Sequence, residues 1–325
     1  MLTIKKTEME NDTGVVSNVS IIIIARNEGE IIGQCIQSML NQSVKPLEVI
    51  VVDGHSTDNT VEIAQKYPVR VIEETGIRSP SNARNLGVKS ARGEIVFVIG
   101  ADAELDKDCI KNAIHYFDDP KVMVVVPDLQ IRIHTRFEKI QKLWFYGTRS
   151  RFRTTHGTGS SIQFIRKKIY EALEFDTSIG FGDDSDFRRR LLAQFGKTHT
   201  IVRSEDSKVL VDLPHTFSEV KSQYIWYGRS SHKYYARYHA PDTILRIGSL
   251  VLPFVLIILV VCTLIYWNTI YLMMPVFLLF VSRNLIICFR SRSVYFFDFA
   301  FFDVMRSLLF VYGFLQGFFV KKVGR

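Results

Sequence analysis

The sequence predicts an α/β domain built on a mostly parallel sheet, followed by an α-helical membrane region. Continuous apolar runs, such as SIIIIA at residues 20–25, are typical of parallel strands that are buried on both faces. Segments with helical periodicity separate these runs, and strands that alternate with helices favour crossover connections within one sheet. A later stretch, residues 247–266, carries no charge and is long enough to cross a bilayer core.

The first two strands each lead into a predicted helix. Residues 20–25 precede apolar residues at helical spacing, and Asn27 is a candidate cap for that helix. Residues 47–52 form the second strand, and Thr57 or Asp58 is a candidate cap for the short helix after it. The carboxyl ends of such strands are where an α/β sheet places its ligand crevice.

The same alternation continues along the next part of the chain. Strands are predicted over residues 69–72, 94–99, 122–126 and 158–165, and helices over residues 81–91, 107–117 and 184–195. Between these elements, residues 132–153 interleave Lys and Arg with aromatic residues. That mixture suits a membrane surface or an anionic acceptor, and a solvated basic helix is the alternative.

The net charge of +8 belongs to the C-terminal third of the chain. From Glu219 onward there are 12 Lys and Arg against 4 Asp and Glu, whereas the preceding residues carry 29 of each sign. Basic residues beside apolar segments fit anionic lipid headgroups. The neutral remainder gives no support to nucleic-acid binding, and no nucleic-acid partner is expected.

Cysteine usage and the N-terminal residues both predict a cytoplasmic catalytic domain. No pair of cysteines has the spacing of a metal site, which favours reduced, buried thiols. The four cysteines are Cys35, Cys109, Cys262 and Cys288. The first residues are polar and lack the apolar core of a signal peptide.

The sequence divides into three predicted parts, the last of which is a membrane region. The predicted boundaries are residues 1–18 for a polar tail, 19–238 for the catalytic domain and 239–325 for the membrane region. Residues 247–266 and 270–289 are the predicted spans, whereas residues 294–320 contain two Asp and one Arg and form either a third embedded helix or an interfacial one. The distribution of Lys and Arg favours two crossings. We therefore expect a multi-pass cell-membrane protein whose catalytic domain and C-terminus are cytoplasmic.

Asp53 and Arg84 are the first candidate binding residues. Asp53 follows the second strand, where a carboxylate can accept from a nucleobase N–H or a ribose hydroxyl. Arg84 lies in the segment SNARNLGVKSARGE and can contact a base or a diphosphate. A helix cap or a surface ion pair is the alternative for either residue alone.

Asp102 and Glu104 are candidate metal ligands. The fourth strand runs into residues 100–104, GADAE, and residues two apart in an extended segment point the same way. Hard carboxylate oxygens together with diphosphate oxygens suit Mg²⁺ or Mn²⁺.

Three acids crowd the start of a basic helix. Asp183, Asp184 and Asp186 occupy four consecutive positions in GFGDDSDFRRRL. Carboxylates this close repel one another, so they need a metal, a cationic partner or a shifted pKa.

The order and spacing of four segments resemble family 2 glycosyltransferases, the inverting class with the GT-A fold. The matching segments are IIIIARNEGEIIGQCIQSMLNQ, VIVVDGHSTDNTVEIA, ARNLGVKSARGEIVFVIGADAEL and GFGDDSDFRRRL, between residue 20 and about residue 191. The resemblance implies a Rossmann-like catalytic domain that uses a nucleotide-sugar donor.

The resemblance also implies roles for individual residues. Asp53 and Arg84 would bind the nucleotide, and Asp102 would be the last acid of the DxD motif, on the metal. Asp183 and Asp184 match the family's Glu-Asp pair, which makes Asp184 the catalytic base. The remaining matches are Arg190, the basic residue after that pair on the donor side, and His215, a downstream His that can reach the metal or the diphosphate.

One position departs from the family pattern. Gly100 stands where the first DxD acid is expected, and Glu104 is a candidate replacement because some polyprenyl-phosphate members use a side chain at that offset. The alternative is a non-catalytic membrane protein that binds sugar nucleotides through a degenerate site.

The expected acceptor is lipid-linked. Residues 223–226, QYIW, lack the Arg-Trp pair of the QxxRW motif of processive synthases, so transfer of a single sugar is favoured. The basic, aromatic segment and the membrane region favour a polyprenyl phosphate or a lipid-linked glycan.

Overall fold

The computed structural model describes residues 17–149, 162–238, 241–317 and 319, without the side chains of residues 144–149, 241–247 and 249–251. The first sixteen residues of the predicted tail and part of the predicted strand at residues 158–165 lie outside the described residues.

Eight strands form one mixed sheet in the described part of the chain. They are β1 (Val19–Ala25), β2 (Glu48–Asp53), β3 (Arg70–Glu73), β4 (Ile95–Gly100), β5 (Ala103–Leu105), β6 (Val122–Ile131), β7 (Gln163–Arg166) and β8 (Thr200–Val211). The sheet order is β3-β2-β1-β4-β7-β6-β8-β5. The four strands from β3 to β4 are parallel, β7 is antiparallel to both its neighbours, and β8 is parallel to β6 and antiparallel to β5. The predicted α/β class with a mostly parallel sheet is confirmed.

Twelve α-helices are described. Those of the first two thirds are α1 (Ile32–Leu40), α2 (Thr60–Ala64), α3 (Pro80–Ser90), α4 (Cys109–Ile114), α5 (Arg136–Arg149), α6 (Lys167–Glu171), α7 (Asp183–Phe195), α8 (Phe217–Ser230) and α9 (His232–Arg237). The last three are α10 (Pro241–Ile265), α11 (Ile270–Arg290) and α12 (Phe296–Gly317).

Helices cover both faces of the sheet and create two apolar cores. Ile21 and Ile23 of β1 pack in one core with residues of α1 and α4, whereas Ile22 packs in the other with residues of α3 and α7. Successive strand residues point to opposite faces, which explains why β1 is apolar throughout. Each fully buried Ile contributes roughly 1.5–3 kcal/mol of hydrophobic stabilisation.

The predicted cap at Asn27 is wrong, whereas Asp58 accepts from the first backbone N–H of α2 although it lies one residue before the cap position. Helix α1 begins after Ile31, and Asn27 instead accepts a hydrogen bond from the Thr57 backbone N–H at 2.8 Å. Helix α2 begins after Asn59, which makes no side-chain cap, while Asp58 accepts from the backbone N–H groups of Gly29 and Thr60. These polar residues therefore connect the loops after β1 and β2.

The C-terminal helices share a third apolar core with α5 and α8. Ile140 and Val220 contribute from α5 and α8, Ile287 from α11, and Phe299 and Phe302 from α12. Within the described residues, one helical segment, Trp267–Arg290, is long and apolar enough to cross a membrane, and Leu252–Ile265 is a shorter apolar segment.

Candidate active site

Asp53 lies at the carboxyl end of β2, as predicted. Its side chain is 5% exposed, and both carboxylate oxygens accept from the Ser56 backbone N–H, at 3.1 and 3.3 Å. His55, in the same turn, has a positive φ of 61° and pairs through Nδ1 with Glu73 at 2.8 Å. The turn thereby fixes the direction of the Asp53 carboxylate.

Arg84 and Asp183 are in direct contact. Arg84 Nη1 donates to Asp183 Oδ2 at 2.5 Å, and the Ser81 hydroxyl donates to the same oxygen at 2.7 Å. The Arg84 guanidinium also lies over the Phe175 ring, 5.0 Å from its centroid. Two residues predicted to act on the donor, 99 positions apart, are thus brought together between α3 and α7.

The first turn of α7 presents the predicted catalytic acid. Gly182 precedes it with a φ of +89°, and a Cβ there would lie 2.7 Å from the Tyr234 ring, so the position requires glycine. Asp184 follows in the first turn, and its Oδ1 accepts from the Ser185 backbone N–H at 2.7 Å. Acids in this turn are favoured by the helix dipole.

Asp186, the third acid of the group, is fully buried. It accepts from Arg190 Nε at 2.7 Å, from Arg237 Nη1 at 2.8 Å and from the Tyr238 hydroxyl at 2.7 Å. Burial and the hydrogen bond to Asp186 raise the pKa of Tyr238 to about 12. Of the three alternatives that the sequence left open for these acids, a cationic partner is the one observed at Asp186.

Arg190 makes structural contacts. Besides Asp186, its guanidinium donates to the backbone carbonyls of Leu173 and Glu174, at 2.8 and 2.9 Å. These bonds join α7 to the turn after α6. Its predicted part in donor binding stays a prediction.

Asp102 lies in a turn between β4 and β5, whereas Glu104 lies within β5. The single extended segment predicted over these residues is therefore wrong. A Cβ at Gly100 would overlap Asp102 Oδ1, so the glycine leaves room for the Asp102 carboxylate. The Asp102 carbonyl accepts from the Asp212 backbone N–H at 3.1 Å, which joins this turn to the end of β8.

Arg132 connects two carboxylates at this edge. Its Nη1 pairs with Glu104 Oε1 at 2.8 Å, and its Nε and Nη2 donate to Asp212 at 2.9 and 2.6 Å. Hydrogen bonds to Asp212 and Glu104 raise the pKa of the Arg132 guanidinium. Glu104, a predicted metal ligand, is thus paired with a permanent cation.

His215 is held by Glu138. The Nδ1 of His215 lies 2.8 Å from Glu138 Oε1, and the Glu138 carboxylate is fully buried. This hydrogen bond raises the pKa of His215. Burial alone would raise the pKa of Glu138, but hydrogen bonds from the His134 backbone, His215 and Thr135 outweigh it and lower that pKa to about 2. Since Nδ1 faces Glu138, Nε2 is the nitrogen left for a ligand.

Sequence reasoning did not single out Arg132, Glu138 or Asp212 as site residues. Glu138 carries a local signal, because Thr135 and Glu138 form a capping box in which each accepts from the other's backbone N–H. The pairing of Arg132 with Asp212 depends on the parallel alignment of β6 and β8 and has no signal in the local sequence.

The described residues contain no group of three or more His, Cys, Asp or Glu side chains arranged to hold a metal ion. Asp102 supplies a carboxylate at the sheet edge, while Glu104 and His215 pair with Arg132 and Glu138. A Mg²⁺-type ion commonly binds through one or two carboxylates plus substrate phosphates, and this sparse donor set fits that mode.

A mostly parallel sheet with acids at its strand ends and an acid-led helix beside them fits the GT-A fold. Residues 20–174 match the family model of the glycosyl transferase family 2. This part of the chain, just under half of its length, is therefore similar to a family 2 glycosyltransferase domain.

Two curated relatives match about half of this chain. Succinoglycan biosynthesis protein ExoO of Rhizobium meliloti is 27% identical over 187 residues, which cover 52% of this chain and 54% of the relative. The dolichyl N-acetyl-alpha-D-glucosaminyl phosphate 3-beta-D-2,3-diacetamido-2,3-dideoxy-beta-D-glucuronosyltransferase of Methanococcus voltae is 26% identical over 207 residues, which cover 56% of this chain and 64% of the relative. This chain thus spans between about half and two thirds of these relatives.

A solved structure shows the same fold. The mannosyltransferase PcManGT from Pyrobaculum calidifontis, in complex with GDP-Man and Mn²⁺, matches with a TM-score of 0.59 at 17% identity, over 94% of this chain and 88% of that one.

Proposed function

We propose that the protein transfers one sugar, with inversion, from a nucleoside-diphosphate sugar to a lipid-linked acceptor at the cytoplasmic face of the cell membrane. The contact between Arg84 and Asp183 is the main support for the proposal, because it joins α3, which bears a predicted donor-binding residue, to the first turn of α7, which bears Asp184. We therefore assign the donor-binding groups and the candidate base to one site. The Methanococcus voltae relative, named for a dolichyl-phosphate-linked substrate, supports the acceptor class.

Donor binding is assigned to the sheet edge. The Asp53 carboxylate, oriented by the Ser56 N–H, would accept from a base N–H or a ribose hydroxyl. Arg84 and Arg190 would offset negative charge on the nucleotide-sugar donor.

Asp102 is the residue assigned to a divalent cation, with Glu104 or His215 at its side. Mg²⁺ or Mn²⁺ bound there would neutralise charge on the leaving nucleoside diphosphate. Mn²⁺ in the Pyrobaculum structure supports the same cofactor class. The Glu104 carboxylate is paired with Arg132. His215 contacts Glu138 through Nδ1, so its Nε2 is the nitrogen that would bind the cation.

Asp184 is assigned the role of base. A sugar hydroxyl has a pKa far above neutrality, so its attack on the anomeric carbon requires a group that takes its proton. A phosphate acceptor is already anionic and needs no such group. The two acceptor types, a lipid-linked glycan and a polyprenyl phosphate, therefore differ in how strongly they depend on Asp184.

Membrane attachment is assigned to α10 and α11. Helix α11 includes most of the segment that is long enough to span a bilayer, and α10 precedes it in a helical hairpin. Arg229, Lys233 and Arg237 lie before the hairpin and Arg290 and Arg292 after it, which favours both ends on the cytoplasmic side.

The decisive experiment screens nucleotide sugars for release of nucleoside diphosphate. The full chain in lipid nanodiscs would be given UDP and GDP sugars together with a polyprenyl phosphate or a polyprenyl-diphosphate sugar. Turnover that requires both donor and lipid acceptor supports the proposal. Asp118→Asn is a matched control for substitutions of the acids in the site, because Asp118 is exposed at the end of the 3-10 turn His115–Asp118. Turnover with soluble sugars but none with either lipid acceptor would overturn the acceptor class.

A further inference from the structure

We propose that α12 lies in the plane of the membrane surface, with one face in lipid and the other on the catalytic domain, and that it holds the segment before α7, which contains Phe181, at headgroup level. The inference deepens the proposed function and rests on its membrane association. It identifies the occupant of the exposed apolar face of α12 as the lipid bilayer.

The outer face of α12 is a straight apolar stripe. Its members follow one another at intervals of four, seven, four and three residues: Phe297, Phe301, Leu308, Tyr312 and Leu315, all exposed. At 100° per residue they fall within an arc of about 60°, and the stripe is about 27 Å long. An apolar stripe of this kind on a globular surface marks an interaction site.

The opposite face of α12 is packed against the catalytic domain. The Phe302 ring meets Phe137 of α5 and Tyr224 of α8 edge-on, with centroids 6.0 and 6.3 Å apart. A Cβ at Gly228 of α8 would overlap the Phe310 carbonyl, and one at Gly313 would overlap the Ile225 carbonyl. Helices α8 and α12 therefore touch backbone to backbone.

This packing excludes a transmembrane path for α12. Helix α8 lies alongside α12, and its Glu219 and Lys221 are exposed. Arg136 at the start of α5 also pairs with Asp298 at the start of α12, at 2.7 Å. A crossing α12 would carry these charged groups into hydrocarbon, where they are costly.

The two helices that α12 contacts also expose apolar residues. Helix α12 contacts both α10 and α11, whose exposed residues include Ile258, Leu264, Leu272 and Leu278. A bilayer that receives the hairpin of α10 and α11 thus also meets the outer face of α12. Helices with one apolar face commonly bind membranes at the boundary between headgroups and acyl chains.

The segment before α7 packs against the same helix. Phe181, three residues before Asp184, packs against Tyr227 of α8 at 4.8 Å, Tyr235 of α9 at 6.4 Å and Phe310 of α12 at 6.2 Å. Its backbone N–H also donates to the Ser230 hydroxyl at 2.9 Å. An acceptor whose reacting group projects from the headgroup layer would therefore reach Asp184 without leaving the membrane.

A depth profile along α12 tests the inference. In the full chain with Cys262→Ala, single variants Phe297→Cys, Phe301→Cys, Leu308→Cys and Tyr312→Cys would carry an environment-sensitive fluorophore. The other native cysteines, Cys35, Cys109 and Cys288, are buried and shielded from the reagent. Nanodiscs of phosphatidylethanolamine and phosphatidylglycerol would contain spin labels in the headgroup or at two acyl depths.

We expect the four α12 positions to be quenched at one common shallow depth, roughly 5–10 Å below the headgroup boundary. Tyr271→Cys, Leu278→Cys and Phe289→Cys on α11 are the matched controls and should give depths that change along the helix. A depth that changes along α12 as it does along α11 would overturn the inference, and so would quenching of all four α12 sites by aqueous iodide alone. Release of nucleoside diphosphate, measured on the same samples, keeps a failure of the proposed function separate from this result.

Discussion

Asp186 of α7 and Arg237 of α9 form a hydrogen-bonded ion pair, 2.8 Å between Oδ1 and Nη1, beneath the helix turn that carries Asp184. The Asp186 side chain is fully buried, and Arg190 and Tyr238 also donate to it. The pair joins the acid-led start of α7 to α9, the last helix before α10. We therefore expect Asp186 to contribute both to the stability of the fold and to the position of Asp184.

Asp186→Asn should destabilise the protein, because Arg190, Arg237 and Tyr238 all lose their buried anionic partner. Breaking a fully buried ion pair typically costs about 3–5 kcal/mol, and partial exposure of the two arginines places the expected loss toward the lower end of that range. Denaturant unfolding in detergent measures the change. Asp176→Asn is the matched control, because Asp176 pairs with the same Arg237 in a more exposed setting, where a loss of about 1 kcal/mol or less is expected. Equal losses in the two variants would contradict the special role of Asp186.

Asp184→Asn should reduce transfer to a sugar hydroxyl by roughly 10²–10⁴-fold, because the substitution keeps the shape but removes the proton acceptor. Donor affinity should change little, and the loss should be smaller if the acceptor is a phosphate. Rates with both lipid acceptors, alongside nucleotide binding by calorimetry, give the measurement. Wild-type turnover of a hydroxyl acceptor would remove Asp184 from the mechanism.

Metal removal should abolish activity despite Gly100. EDTA should stop turnover, Mn²⁺ or Mg²⁺ should restore it, and Asp102→Ala should not be rescued by added metal. Glu104→Gln should raise the metal concentration that gives half-maximal rate. Gly100→Ala adds a methyl group where the Asp102 carboxylate lies, and it should shift the metal requirement in the same direction. Full activity in chelator would show that basic residues alone neutralise the diphosphate.

Acid should weaken the fold through Glu138. Its pKa in the folded protein is about 2, below the ordinary value of 4.5, so its stabilising contribution is complete above about pH 4.5 and is lost as the pH falls toward 2. His215 has a raised pKa, so its share is complete below its ordinary value of 6.5 and is lost as the pH rises through the higher folded value. Unfolding free energies from pH 2 to 8 should therefore decline at both ends.

Glu138→Gln is the control for this pH dependence. The amide can still cap α5, but it has no charge to lose, so the decline between pH 4.5 and 2 should become shallower. An unchanged slope in the variant would assign the acid sensitivity to other carboxylates, such as Asp176, whose pKa is also lowered to about 2 against the effect of burial, through hydrogen bonds from Ser178 and Arg237.

The parts of the fold that could be predicted from the sequence are those indicated by the pattern of neighbouring residues. The run at β1 and the position of Asp53 follow from apolar periodicity, which needs no knowledge of distant residues. Strand β8 was not predicted, because it is largely exposed and mixes polar with apolar residues. The contacts between Arg84 and Asp183 and between Glu138 and His215 join residues 99 and 77 positions apart, so only the folded chain brings them together.

The last prediction concerns the side of the membrane on which the chain ends. Lys and Arg beside short loops favour the cytoplasmic side. Basic residues precede α10 and follow α11, whereas the connection between these helices, residues 266–269, carries no charge. Two crossings keep every basic cluster inside, and α12, packed along α8, then stays on the cytoplasmic surface. A C-terminal reporter should therefore be active in its cytoplasmic form. A reporter that works only outside the cell would rule out the two-crossing arrangement and the in-plane α12 together, but a cytoplasmic active site would remain compatible with it, because the basic residues before α10 favour that side independently.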